Sequence, residues 1–386
     1  MPSSNRQFEP GPRSLLIDFL RGLCLVVMTV DHLPLTLIRK VTWQTFGFFS
    51  AAEAFVFLSG LVAGRVYGRV AITEGVAAVT RRALRRVRTL YLTNALLMTL
   101  AILAAREGFV TLGNGHPSWS LWSKTMLCIA SPGYSEILRM YCIFLLLLPG
   151  VFWALMNNRF YYVVAISGGL WLMASQGYGM AALPGTGTFD IMSWQLLFVA
   201  GIYCGFTRVW NLRELGAPAS WTAVCLAVVG TFFVVRHWHF FTGQQLSPYF
   251  QWLLAWRRTL TLWRLLDFAA FSALVYRVRP SLTTLVRTLP GQAVAFLGQH
   301  SLLVFVWSIS ATMLISESEE RWIAPSSADH PLAYTVLILA SCFVPAWLHA
   351  QWRVLRGEMF LNPQTAILPG DPFGETVQAS SGEAAD

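Results

Sequence analysis

The stretch IDFLRGLCLVVMTVDH, from Ile17 to His32, decides the fold class, because ionisable side chains interrupt an apolar segment long enough to cross a membrane. The ionisable residues are Asp18, Arg21, Asp31 and His32. A charged side chain at the centre of a membrane helix costs on the order of 2.5 to 3.5 kcal/mol on insertion scales. The stretch therefore predicts a membrane helix that carries a functional polar site.

Arg21 and His32 are spaced so that one helix face carries polar groups at two depths. Their separation of eleven residues brings the second side chain back close to the face of the first. It also places them roughly 16 Å apart along the axis. Counted from Leu15, Arg21 lies roughly 9 Å and His32 roughly 25 Å into a hydrocarbon core of about 30 Å.

Composition assigns the whole chain to the membrane class. The 386 residues are 55% hydrophobic and only 12% charged, and 16 are Trp. A soluble domain carries about twice that fraction of charge. The first apolar stretch is too long for the apolar region of a signal peptide, so we expect it to stay as the first span.

Apolar segments recur along the chain and predict an all-α, polytopic membrane protein with about ten transmembrane helices. The segments are Leu15–Ile38, Phe46–Tyr67, Thr89–Ala105, Ile137–Met156, Phe160–Ala174, Met192–Thr207, Trp221–Val235, Thr259–Val278, Ala293–Ile315 and Leu332–Leu348. We expect a cytoplasmic segment over 1–14, one membrane domain over 15–357, and a disordered cytoplasmic tail over 358–386, which is rich in Pro, Gly, Ser and acidic residues.

Basic residues predict the orientation. With a cytoplasmic N-terminus, most of the 28 Lys and Arg residues fall on the inner side, which favours an even number of spans and two cytoplasmic termini. The net charge of +9 then needs no nucleic acid to explain it. Arg85 and Arg86 belong to an inner cluster that either faces anionic lipid or binds the phosphates of an anionic cofactor.

His32 and Glu53 are expected to share a depth. Counted from Phe46, Glu53 lies roughly 10 Å below the outer surface, in the helix that follows the first span. Helices joined by a short connection usually pack side by side, so a His–Glu hydrogen bond is predicted. Such a bond would orient the imidazole ring and raise its basicity. The alternative interpretation is that His32 and Glu53 form a buried pair that only specifies how the helices pack.

Other polar groups fall at similar depths. Arg264 and Asp267 stand one helical turn apart, as do Asp18 and Arg21. In each pair the two side chains either form an ion pair with each other or face a ligand. His300, Ser301 and His349 are further candidates on the inner side. No metal is expected, because the six Cys lie singly and the two His residues of the sequence RHWH, from Arg236 to His239, form an incomplete ligand set.

At these residues the sequence resembles the OpgC-type membrane acyltransferases, relatives of the acyltransferase-3 membrane family, whose first span carries an Arg, ten residues and a His. Arg21 and His32 match that spacing. Further matching motifs follow in order: FGFFSAAEAFVFLSGLVAGRVYG around Glu53, RVRTLYL, SEILRMYCIFLLLLP, SWQLLFVAGIYCG and FLGQHSLLVFVWS. Arg139 is a departure, since the family more often has uncharged residues there.

The resemblance implies transfer of an acyl group, succinyl in the namesake, from a coenzyme A thioester to hydroxyls of a periplasmic glucan at a bacterial inner membrane. His32 with Glu53 or Asp31 could then supply a general base, and Arg21, Asp18, Arg85, Arg86, His300 and Ser301 could bind the donor. Whether His32 is a base only or also carries the acyl group stays open.

Four side chains are expected at outer helix ends, where they could bind sugar or form an ordinary aromatic belt. They are Arg139, Tyr141, Trp194 and Gln195. Two other functions stay open: a transporter or flippase without covalent chemistry, which midplane charges and discontinuous helices would also suit, and an inactive relative that acts as a sensor.

Overall fold

A computed structural model describes most of the chain, and every regular element in the described part is an α-helix. The described residues are 14–33, 42, 44, 46–109, 117–129, 136–178, 189–207, 219–245, 247, 248, 250, 258–322 and 330–356. The predicted tail over 358–386 and nearly all of the segment over 1–14 lie outside these ranges.

The helices follow the apolar segments closely. They are α1 (Leu15–His32), α2 (Ala51–Glu74), α3 (Val76–Arg106), α4 (Trp119–Met126), α5 (Glu136–Met156), α6 (Phe160–Ser175), α7 (Ile191–Thr207), α8 (Ala219–Arg236), α9 (Trp238–Thr242), α10 (Leu262–Arg277), α11 (Arg279–Val286), α12 (Leu289–Gln299), α13 (Ser301–Trp322), α14 (His330–Ser341) and α15 (Phe343–Leu355). Each predicted segment therefore corresponds to at least one helix.

The first helix begins and ends where local chemistry dictates. The Ser14 hydroxyl accepts a hydrogen bond from the backbone N–H of Ile17 at 3.5 Å, which caps the first turn. Asp18 lies in that turn, where the helix dipole favours a negative charge. The helix ends at His32, because Leu33 adopts an extended conformation. The part of the predicted first span beyond Leu33 lies outside the described residues.

Glycines bring α2 and α7 into backbone contact. Gly60 and Gly64 on α2 face Gly201 and Gly205 on α7, and each pair has the small-xxx-small spacing that lets membrane helices approach closely. A Cβ atom added at any of the four would overlap a carbonyl oxygen of the opposite helix. The contact between α2 and α7 is the most extensive between any two helices described.

A second glycine pair joins α1 to α12. A Cβ atom at Gly22 would overlap the carbonyl oxygen of Val294, and one at Gly298 would overlap the carbonyl oxygen of Asp18. The two backbones therefore touch at this level. Because α12 ends immediately after Gly298, the contact fixes the next residues of the chain, His300 and Ser301, against α1.

Four of the described helices are long and apolar enough to cross a membrane, or five if one bent pair forms a single span. The bent pair is α12 and α13, which meet at His300 with a bend of 90°. The predicted ninth segment is therefore broken and not one continuous helix. The tenth segment is divided into α14 and α15 at Cys342, yet Thr335–Leu355 is one of the four helical stretches that could cross a membrane. The structure supports a helical membrane protein, and ten spans stay a prediction.

The remaining differences have simple causes. Although α1 has 18 residues, it does not qualify as a span on composition because it contains Asp18, Arg21 and Asp31. The helix at the third predicted segment, α3, has 31 residues, because the arginine-rich stretch before Thr89 is also helical. Arg85 and Arg86 therefore stand on α3 and not in a loop.

We predict that Gly201→Ala lowers the melting temperature of the detergent-solubilised protein. The added methyl group would meet the carbonyl oxygen of Phe57 and force α2 and α7 apart, and overpacking of this kind costs about 1–3 kcal/mol. Gly230→Ala is the control, since no atom lies within 4 Å of its added Cβ. Equal melting temperatures for the two variants would contradict the backbone contact.

Candidate functional site

The Leu15 end of α1 brings together two residues that the sequence predicted for donor binding. Nη2 of Arg21 donates a hydrogen bond to the Ser301 hydroxyl at 2.6 Å, although 280 residues separate them. The guanidinium also lies 6.0 Å from the centre of the Phe55 ring. Since Ser301 is the first residue of α13, the arginine contacts the chain directly at the break between α12 and α13.

A histidine pair lies at the same break. Nδ1 of His300 lies 2.8 Å from Nδ1 of His349, on α15. A hydrogen bond between two such nitrogens needs a proton on one and a lone pair on the other, so the two rings differ in their protonation at Nδ1. The pair connects the broken helix to α15, and His300 is buried.

Two further predicted site residues, Tyr141 and Arg85, make contacts within the chain. The Tyr141 ring packs edge-on against the Phe198 ring, with 5.8 Å between the ring centres. The predicted place of Tyr141 at an outer helix end stays a prediction. Arg85 is exposed, and its Nε donates to the carbonyl oxygen of Arg81 at 3.4 Å.

At the other end of α1, the protonation state of His32 follows from its partner. Nδ1 of His32 lies 2.5 Å from the carbonyl oxygen of Met28. A carbonyl oxygen only accepts hydrogen bonds, so Nδ1 carries the proton. In the neutral ring, Nε2 is then the nitrogen with the lone pair, and it is the atom that can take a proton.

His32 lines a small cavity of about 40 Å³ between α1, α5 and α13. Its polar lining residues are Thr29, His32, Glu136, Ser308 and Thr312. Roughly 10–15 Å³ of such space accommodates one water molecule, so the cavity has room for two or three water-sized groups. It can therefore hold a reacting hydroxyl group beside the histidine.

Glu53 is held from two sides at the start of α2. Its carboxylate forms a buried ion pair with Arg264 on α10, and both side chains are shielded from solvent. Its other oxygen accepts from the Ser50 backbone N–H at 3.0 Å and from the Ser50 hydroxyl at 2.5 Å. These contacts form a capping box and tie α2 to α10. The predicted hydrogen bond from His32 to Glu53 stays a prediction.

Asp267 also contacts the segment that leads into α2. Its Oδ2 accepts from the Phe48 backbone N–H at 2.7 Å. A Cβ atom at Gly47, where φ is +154°, would overlap that carboxylate. Arg264 and Asp267 therefore bind two points near the start of α2, and both are fully buried. Asp31, near the end of α1, accepts from the Thr42 hydroxyl at 2.7 Å, and Asp18 is buried.

Three of the residues predicted for the acceptor, Arg139, Trp194 and Gln195, are buried inside the protein. Trp194 is 0% exposed, and its indole N–H donates to the carbonyl oxygen of Arg258 at 3.1 Å. Gln195 accepts from the Ser167 hydroxyl at 2.7 Å, which joins α6 to α7. Arg139 is also buried and donates to the carbonyl oxygens of Cys128 and Ile129 at 3.3 and 3.2 Å. Each of the three side chains therefore has a contact within the chain, and sugar binding by them stays a prediction.

Sequence reasoning missed most of the cavity. Thr29, Glu136, Ser308 and Thr312 were not singled out, although Ser308 and Thr312 stand one turn apart on an apolar helix and Glu136 begins another. The polar spacing on α13 was the available signal. Within the described ranges, no group of three or more His, Cys, Asp or Glu could hold a metal ion.

The all-helical fold and its long apolar helices indicate a helical membrane protein. Comparison with protein families identifies it further, since the model described as OpgC protein matches residues 13–354. The chain belongs to this family, as the motifs around Arg21 and His32 predicted, and the family indicates a glucan-modifying membrane acyltransferase. No curated protein matches the chain.

We predict that Glu53→Gln lowers the free energy of unfolding by about 3–5 kcal/mol, because the substitution leaves the charge of Arg264 buried without its partner. Thermal unfolding in detergent measures the effect. The control is Glu74→Gln, which removes the ion pair between Glu74 and Arg82. Both side chains of that pair are 45% exposed. Such a pair contributes about 0–1 kcal/mol. Similar losses in both variants would contradict a stabilising role for the Glu53–Arg264 pair.

Proposed function

We propose that the protein transfers a succinyl group from succinyl-CoA in the cytoplasm to hydroxyl groups of a periplasmic glucan, at a bacterial inner membrane with both termini cytoplasmic. The observation that carries the proposal is the pair of sites on α1. Arg21 contacts the break in the α12–α13 pair, and His32 lines the cavity at the opposite end of the same helix. The spacing suits a thioester donor that enters from one side and an acceptor that arrives from the other.

The chemistry at His32 follows from its protonation. Nε2 removes the proton from an acceptor hydroxyl, and the hydroxyl oxygen attacks the thioester carbonyl. The tetrahedral intermediate collapses, the carbon–sulfur bond breaks, and the thiolate of CoA takes the proton from the imidazolium. The products are an ester and free CoA. Glu136 lines the same cavity and stabilises the imidazolium while it exists.

The donor is proposed to bind at the Leu15 end of α1. The Arg21 guanidinium presents a planar set of donors to the acyl-CoA, and Ser301 positions it. Arg86 adds a second positive charge near Tyr141. A cation in this position offsets the charge of the donor as it enters the membrane.

A transporter or flippase remains the second candidate, and the 90° break at His300 is the observation that favours it. Discontinuous membrane helices often line substrate sites in transporters. Purified protein distinguishes the two functions, because a transferase releases free CoA thiol from succinyl-CoA and adds a succinyl mass to the glucan. A transporter does neither.

We predict that His32→Ala lowers the rate of transfer about 10²- to 10⁴-fold, because the variant lacks the positioned base. The measurement is thiol release from succinyl-CoA in the presence of glucan. His237→Ala is the matched control, since Nδ1 of His237 contacts a carbonyl oxygen one turn earlier, that of Phe233, at 2.9 Å. A normally expressed His32→Ala protein with full activity would overturn the mechanism.

We predict that Arg21→Lys raises the KM for succinyl-CoA and changes the KM for glucan little. Lysine keeps the charge but lacks the planar guanidinium that reaches Ser301 and the donor together. Arg159→Lys serves as the control, because Arg159 also lies over an aromatic ring, that of Trp153, but far from α1 along the chain. An unchanged KM for succinyl-CoA in Arg21→Lys would assign Arg21 to packing alone.

A further inference from the structure

Three side chains at the C-terminal end of α15 form a stack that opens to the surface. The ring of His349 lies 6.0 Å from the ring of Trp352 at an angle of 25°. The guanidinium carbon of Arg356 lies 3.7 Å from the centre of the Trp352 ring. Trp352 is 44% exposed, so a planar ligand can reach this stack from outside the protein.

The stack is continuous with the donor end of the proposed site. Nδ1 of His349 contacts Nδ1 of His300 at 2.8 Å, and the next residue, Ser301, accepts the hydrogen bond from Arg21. Each residue in this series is linked to the next by a direct contact or by a peptide bond. Polar and aromatic groups therefore lead from the surface at Arg356 to the intramembrane arginine.

The chemistry of the stack suits a nucleotide. Purine bases stack on aromatic rings and on guanidinium planes, and a phosphate accepts paired hydrogen bonds from arginine. Arg353 stands one turn before Arg356 and adds a second positive charge to this helix end.

From this geometry we infer that the His349–Trp352–Arg356 stack binds the nucleotide end of acyl-CoA, with the adenine taking the place of the Arg356 guanidinium on the Trp352 ring and a phosphate binding the displaced guanidinium. The inference rests on the proposed function for the identity of the donor. It places the nucleotide at the membrane surface and directs the rest of the donor toward Arg21.

The first experiment measures binding without catalysis. Adenosine 3′,5′-bisphosphate, the nucleotide fragment of CoA, is titrated into the full-length protein in detergent and followed by calorimetry. We expect Trp352→Ala to weaken binding about 5- to 150-fold, the range for loss of one base–aromatic stack, and Trp352→Phe to keep most of it. Trp153→Ala is the control, since Trp153 is 48% exposed and also lies against an arginine, Arg159.

Two results of this titration would overturn the inference. One is the absence of binding to the wild-type protein. The other is equal affinity of the wild type and Trp352→Ala for the nucleotide. Equal affinity with a lower melting temperature of the variant would also overturn the inference, because that is the result expected for a tryptophan that only anchors the helix at lipid headgroups. Because Trp352→Phe retains a ring, it keeps the test usable if the alanine variant does not fold.

The second experiment separates this inference from the proposed function. Succinyl-CoA and succinyl-pantetheine carry the same thioester, but only the first has a nucleotide. Trp352→Ala should lower kcat/KM for succinyl-CoA and leave kcat/KM for succinyl-pantetheine unchanged, whereas equal losses would overturn the inference. Absence of transfer from both donors to wild-type protein would count against the proposed function, while the titration would still decide on the nucleotide site.

Discussion

The contact between the backbones of α1 and α12 is the constraint on which the site depends. Gly22 and Gly298 leave no room for a Cβ atom on either side, so the two helices meet at one fixed level. The position of this glycine contact determines where the chain bends at His300, and hence where Ser301 contacts Arg21. In lipid the hydrophobic effect gives little preference for one helix pairing over another, so close packing of small residues has to set this geometry.

The buried pair of Glu53 and Arg264 shows what an estimate of depth from sequence leaves out. A carboxylate in a membrane helix is a functional candidate by default, and the depth of Glu53 matched that of His32. In the structure its oxygens are used by Arg264 and by the capping box at Ser50. Depth estimates count residues along one helix and carry no information about α10, which contributes the arginine. Glu136 was overlooked for the same reason, since only the packing of α5 against α1 and α13 reveals that it shares the cavity of His32.

Sequence sufficed for the class of protein, for the approximate position of each helix and for the family, because apolar runs and ordered motifs are local properties. It also placed Arg21 and Ser301 in one predicted site, and the structure joins them. It failed at the break in the ninth segment, because the average hydropathy of FLGQHSLLVFVWS is the same whether the helix is straight or bent. Sequence could not show that Trp194 and Gln195 are buried in the protein, because an aromatic or polar residue at a helix end looks alike in sequence whether it faces headgroups or a neighbouring helix.

The two polar ends of α1 are joined by continuous helix, and this rigidity has a consequence for mechanism. The rise of 1.5 Å per residue fixes the Arg21–His32 separation at roughly 16 Å, so neither end can approach the other during turnover. In the function we propose, a donor that contacts Arg21 therefore has to extend along the helix to bring its thioester to His32. The cavity beside His32 has room for two or three water-sized groups, which suffices for a hydroxyl group. Under the proposed function the helix thus separates recognition of the donor from chemistry on the acceptor. The 90° break at His300, beside Arg21, brings the donor end into contact with α15 through His349.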